Sequence, residues 1–130
     1  MDVLSAPPTA QQLASNLSNG LPPPVGTRVF RVWGKVVGEN GTLEGSDAWG
    51  PSWTTEDPTT TPGYREAAGL PDQNGGRFLS EGILEDTSGI TTRQALPGAD
   101  GKGGTIPEVI ITEAEFKVRL IRVRGINPEF

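Results

Sequence analysis

Apolar and polar positions alternate most clearly over Arg28–Gly34. Phe30 and Val32 fall on one face there, and Val29, Arg31 and Trp33 on the other. Both faces carry apolar residues, so the pattern predicts a central strand. Arg77–Leu84 predicts a second strand, with Phe78, Ser80, Gly82 and Leu84 opposite Leu79, Glu81 and Ile83. Ile106–Thr112 and Phe116–Arg124 predict two more. The last run breaks phase: Phe116, Val118 and Leu120 alternate with Lys117 and Arg119, after which Ile121 and Val123 land on the charged side. A bulge near Leu120 restores the phase, as does burial of both faces. Trp49–Thr55 predicts a short strand after a bend at Pro51, and Ile90–Ala95 a weak strand or turn.

Helical spacing is brief. Thr9–Asn19 places Leu13 and Leu17 one turn apart, with Gly20 as the stop. Tyr64–Ala68 forms a short helix closed by Gly69, with Pro71 just beyond. Gly38–Gly50 and Pro97–Thr105 are Gly-rich loops. Five or six strands with so little helix predict an α+β fold: a compact, mostly antiparallel β-rich core, one or two short helices and long Gly-rich loops. Residues 1–26, with Ala6-Pro7-Pro8 and Pro22-Pro23-Pro24, form a Pro-rich lead-in or linker containing the first helix. Residues 27–130 form the single domain.

Composition narrows the chemistry. The 130 residues suit one domain, and 18 Gly with 12 Pro argue against a long-helix fold. There is no His and no Cys, which excludes Ser-His-Asp and Cys-His catalysis, zinc sites of the usual kinds and every disulfide framework. Catalysis must therefore rest on carboxylates, hydroxyls, Arg, Lys, Tyr or a bound cofactor. A net charge of −5 disfavours non-specific polyanion binding. No apolar run approaches membrane-spanning length, and the first residues lack the basic and apolar segments of a signal peptide. No membrane partner is expected.

Three features carry candidate chemistry: Arg31 within a strand, Ser52-Trp53-Thr54-Thr55 after one Gly-rich loop, and Glu108 after another. Taken singly, each is also an ordinary strand residue. In this order, Phe30-Arg31-Val32, Ser52-Trp53-Thr54-Thr55 and Glu108-Val109-Ile110-Ile111 resemble the ADP-ribosyltransferase superfamily of the Arg–Ser–Glu type. Tyr64-Arg65-Glu66-Ala67-Ala68-Gly69-Leu70-Pro71 is similar to a segment of the small toxin domains carried by Rhs-type polymorphic toxins of bacteria. The resemblance spans roughly residues 27–124. It implies that Arg31 binds NAD, that Ser52 and Thr54 organise the cleft, and that Glu108 is the catalytic carboxylate with Ser52 beside it. Where arginine-modifying members carry Glu two residues before the catalytic one, and others carry Gln, this chain has Ile106. The acceptor is therefore left open.

Those assignments fit the chemistry. Cleaving the nicotinamide–ribose bond develops positive charge on the sugar, which a fixed carboxylate stabilises as in glycosidases. A guanidinium fork can grip a phosphate or a ribose. Ser52 and Thr54 share a strand face, and Trp53 points the other way. No metal is required. The expectation is a mono-ADP-ribosyltransferase toxin, secreted as part of a larger effector and acting in the cytoplasm of a target bacterium. It would use NAD as substrate and need a cognate immunity protein in the producer. The acidic charge slightly favours a protein acceptor over nucleic acid, with a structured RNA or a component of the translation machinery left open as the target. Two alternatives stand beside it: an NAD glycohydrolase toxin, and a non-enzymatic β-rich binding module in which Arg31, Ser52 and Glu108 need not converge.

Other charged groups read as surface. Glu39, Glu44, Asp47, Glu56 and Asp57 lack calcium-loop spacing. Glu81, Glu85 and Asp86 read as surface acidity rather than a cation site. Lys117, Arg119, Arg122 and Arg124 form a positive strand that either steers an anionic partner or pairs within the sheet surface.

Overall fold

In the computed structural model, which describes residues 8–95 and 104–130, the organising element is β1 (Arg28–Val37). Its first half is buried on both faces, as the double-sided apolar pattern requires. Val29 enters one cluster with Trp53, Leu84, Val109, Ile111 and Val118. Phe30 and Val32 enter another with Tyr64 and Leu79. Period-two alternation along one strand thus feeds two cores. Trp53, 2% exposed, anchors the first; removing so large a buried ring costs about 3–5 kcal/mol.

β1 runs three residues beyond the predicted strand because it gains a partner. Within the predicted Gly38–Gly50 loop, β2 (Leu43–Ser46) pairs antiparallel with Gly34–Val37. The turn closes through Gly38 N–H to the Thr42 carbonyl at 2.7 Å, with Gly41 at φ +80°. This hairpin corrects the loop expectation. On the other edge of β1 lies β4 (Phe78–Leu84), followed by β7 (Val118–Gly125). The bulge sits where the phase broke: Glu81 opposes Arg122 while Gly82 opposes Leu120, so Ile121 is the extra residue. Phe116 is not in this strand. Glu113, left-handed at φ 56°, opens the one-turn helix α3 (Ala114–Lys117), and Phe116 is exposed.

A second antiparallel sheet contains β3 (Ser52–Trp53), β6 (Pro107–Ile110) and β5 (Thr91–Gln94), in that spatial order. Among the described residues, the backbones of the two sheets join at one residue pair. Phe30 and Thr54 exchange reciprocal backbone bonds of 2.8 Å each. Strands therefore follow one another as β5, β6, β3, β1, β4 and β7, with β2 beside the far half of β1. The fold is α+β, built on two antiparallel sheets with few short helices.

Helix α1 (Ala10–Ser18) starts at a Thr9–Gln12 capping box and buries no residue. Pro23, by contrast, is fully enclosed, and Gly26 N–H bonds the Leu84 carbonyl at 2.8 Å. Packing thus begins within the Pro-rich lead-in, before residue 27. Helix α2 (Tyr64–Ala67) stops as predicted, with Gly69 at φ +64°. Its Arg65 donates to the main-chain oxygens of Asn74 (2.7 Å) and Phe130 (2.8 Å), tying the helix to the loop before β4 and to the C-terminal segment. The predicted loop Pro97–Thr105 lies largely outside the described residues, as do Ala6 and Pro7. Among the described residues, no helix is long and apolar enough to cross a membrane.

Candidate active site

The strands carrying Arg31, Ser52 and Glu108 are successive neighbours: β1, β3 and β6. All three residues line one cavity of about 450 Å³, together with Thr54, Tyr64 and Ile106. That volume lies within the range of small-molecule sites. The cavity opens beside the place where the two sheets meet through a single residue pair, Phe30 and Thr54.

Glu108 is held on both carboxylate oxygens. Ser52 Oγ donates to Oε2 at 2.5 Å, and Arg93 Nε donates to Oε1 at 2.8 Å. Its side chain is 16% exposed, so the carboxylate faces the cavity without being sealed from it. The Arg93 contact follows from register, since Arg93 and Glu108 are directly paired across β5 and β6. Ser52 lies two positions off the equivalent pairing, opposite Ile110 and on the same face as Glu108.

Arg31 is 5% exposed and largely committed to its own chain. Nε donates to the Asp47 carbonyl and Nη1 to the Ser52 carbonyl, each at 2.9 Å. Burial lowers its pKa, and the nearby Asp47 partly offsets this. Two of its five N–H groups are thereby used, leaving one on Nη1 and both on Nη2. Among the described residues Nη2 is the one guanidinium nitrogen with no protein partner, and it is the freest to meet a ligand. Gly50 makes room for it, because a Cβ there would lie 2.1 Å from Nη2.

Thr54 has its hydroxyl engaged on both sides. Oγ1 donates to the Pro107 carbonyl at 2.9 Å and accepts from Glu56 N–H at 3.1 Å. It braces β3 against β6 next to Glu108 rather than presenting a free hydroxyl. Trp53 turns into the core as the alternation required, and its indole N–H bonds the Gly50 carbonyl at 2.8 Å. Ile106 forms an apolar part of the cavity wall.

Two further residues complete the site, and neither stood out as a functional residue in the sequence. Arg93 sits in the weakest predicted element, and its role comes from register. Tyr64 lies on α2, is 6% exposed, and has its pKa raised chiefly by burial. Arg31 and Glu108 both act on its hydroxyl, pulling in opposite directions. Elsewhere, the basic β7 is partly neutralised: Arg122 bonds Glu81 at 2.8 Å and Arg119 bonds Glu85 at 3.3 Å. Glu81 also receives Arg28.

Three comparisons with known proteins bear on this geometry. The chain matches no protein-family model, and neither the curated proteins nor the solved structures yield a match.

Proposed function

We propose that the chain is an NAD-dependent mono-ADP-ribosyltransferase whose catalytic carboxylate is Glu108. The observation that carries this reading is the convergence of Arg31, Ser52 and Glu108 from three adjacent strands onto one cavity, with Ser52 Oγ bonded to the Glu108 carboxylate. Glu108 stabilises the positive charge that develops on the nicotinamide ribose as the glycosidic bond breaks. Ser52 and Arg93 hold its carboxylate in one orientation, so little reorganisation is needed during the reaction. Arg31 contributes Nη2 and fixed positive charge to NAD binding. The same convergence favours an enzyme over a passive binding module, in which these side chains need not meet.

In this reading the domain is a toxin delivered on a larger effector into a target bacterium, with an immunity protein in the producer covering the cavity. The acceptor is a macromolecule, protein ahead of RNA. NAD hydrolysis is the second reading, because Ile106 places no acid beside Glu108 to orient an acceptor. Incubation with labelled NAD and a bacterial lysate separates the two. Label in a macromolecular band supports transfer, free ADP-ribose alone supports hydrolysis, and intact NAD contradicts both.

A further inference from the structure

The Tyr64 hydroxyl poses a question that the fold alone does not answer. Tyr64 is 94% buried by its 6% exposure, yet among the described residues its hydroxyl makes no hydrogen bond to protein. Among the described residues the fully enclosed side-chain oxygen without a partner is Thr92 Oγ1, so the Tyr64 hydroxyl is open to the cavity that the residue lines rather than sealed in the core. Phenylalanine would supply the same packing without presenting a donor there.

The ring and the hydroxyl face different surroundings. The ring packs with Phe30, Val32 and Leu79, and lies tilted at 59° to Phe130 with centroids 5.5 Å apart. It is thereby used up in the core and is not available to stack on a ligand. The residue nevertheless lines the cavity, and its hydroxyl feels both Arg31 and Glu108. What Tyr64 offers a ligand is its O–H. Burial raises its pKa, so the group remains a neutral donor across the physiological range.

Its position is fixed by the neighbours that tie α2 to the rest of the fold. Arg65, the next residue, spends three donors on the main-chain oxygens of Phe130, Pro71 and Asn74. Asn74 is itself buried and donates to the Val32 carbonyl at 2.9 Å, linking the loop back to β1. The hydroxyl is held rigidly over the cavity, as a binding donor must be to give specificity.

We infer that Tyr64 Oη and Arg31 Nη2 form a paired donor set in the cavity that binds acceptor oxygen on the substrate. Both atoms lack protein partners among the described residues, and both belong to residues about nine-tenths or more buried. The inference rests on the NAD reading of the site. The strongest acceptor oxygens of NAD are on the diphosphate and on the carboxamide of the nicotinamide. A cavity built to bond an oxygen discriminates strongly against ligands that lack it.

Tyr64→Phe tests this, because it removes only the hydroxyl. NAD, ADP-ribose and nicotinamide are titrated separately by calorimetry into the wild type and the variant, alongside thermal melts. The variant should melt at the wild-type temperature or above it, since no internal bond is lost. It should bind NAD roughly 3- to 10-fold more weakly, the worth of one hydrogen bond. Loss confined to ADP-ribose places the hydroxyl on the ADP-ribose half of NAD, and loss confined to nicotinamide places it on the carboxamide. Unchanged or tighter binding of NAD by the variant overturns the role of Tyr64 while leaving the NAD reading intact. A fall of several degrees in melting temperature overturns it too, because the hydroxyl would then have a partner within the protein. A wild type that binds none of the three compounds removes the NAD reading and this inference together.

Discussion

Ser52 Oγ donates to Glu108 Oε2 at 2.5 Å across a separation of 56 residues in the chain. The bond exists because β3 and β6 pair antiparallel, with Ser52 opposite Ile110 and Trp53 opposite Val109. Ser52 is itself exposed, so the bond adds little to the core. Its consequence is orientation of the carboxylate. Hydrogen bonds to charged groups are worth about 1.5–3 kcal/mol. Ser52→Ala should therefore lower kcat for NAD cleavage by roughly 10- to 100-fold, with a melting temperature close to wild type. Steady-state kinetics on the purified variant checks this, and an unchanged kcat would count against the orienting role.

Gly50 is the second test, and it bears on Arg31. A Cβ at residue 50 would lie 2.1 Å from Nη2, and Arg31 cannot simply swing away while Nε and Nη1 hold the Asp47 and Ser52 carbonyls. Gly50→Ala should destabilise the protein by about 1–3 kcal/mol, the usual cost of overpacking. It should also weaken NAD binding, because Nη2 is displaced. Urea melts and calorimetry read the two effects, and a variant with wild-type stability and affinity would show that Arg31 is loosely held.

Glu81 on β4 should contribute to stability against acid. Hydrogen bonding from Arg122 and the charge of Arg28 hold its carboxyl below the usual glutamate range, against the opposing effect of burial. The folded pKa is thus lower than the unfolded one, near ~4.3. The stability it contributes is fully present above that unfolded value and is lost as pH falls through the folded one. Denaturant melts between neutral pH and about pH 3 should show declining stability over the acid limb. In Glu81→Gln that limb should flatten, with the variant less stable at neutral pH. A Gln variant that keeps the wild-type slope would assign the acid sensitivity to other carboxylates.

Much of this arrangement was legible in the residues, and the reasons differ by element. The double-sided pattern of Val29–Val32 marked β1 as central, and the phase break after Leu120 marked the bulge that Ile121 occupies. Gly69 and Pro71 marked the end of α2. β2 was not legible, because Leu43-Glu44-Gly45-Ser46 has no alternation of its own and becomes a strand only by pairing with β1. Phe116 continued the apolar phase of β7, but the left-handed turn at Glu113 drew it into a helical turn. In the site, Arg31, Ser52 and Glu108 could be picked out as types in order along the chain. The commitment of two Arg31 N–H groups to carbonyls and the closure of Thr54's hydroxyl are tertiary facts. Arg93 reaches Glu108 through register, and Tyr64 enters the cavity through packing; neither leaves a periodic trace.

The most direct measurement is kcat for NAD cleavage in Glu108→Gln, with Glu115→Gln as the control. Gln keeps the size and much of the hydrogen-bonding shape of Glu108 while removing the negative charge that stabilises a developing cation. Electrostatic stabilisers of this kind are worth about 10²- to 10³-fold in rate. We predict a loss of about that size in kcat, with a modest change in NAD affinity, and relief of growth arrest when the variant is expressed in bacteria. Glu115, exposed on the short helix beyond β6, should be nearly silent. A fully active Glu108→Gln variant, or an equally impaired Glu115→Gln, would contradict the assignment of Glu108 as the catalytic carboxylate.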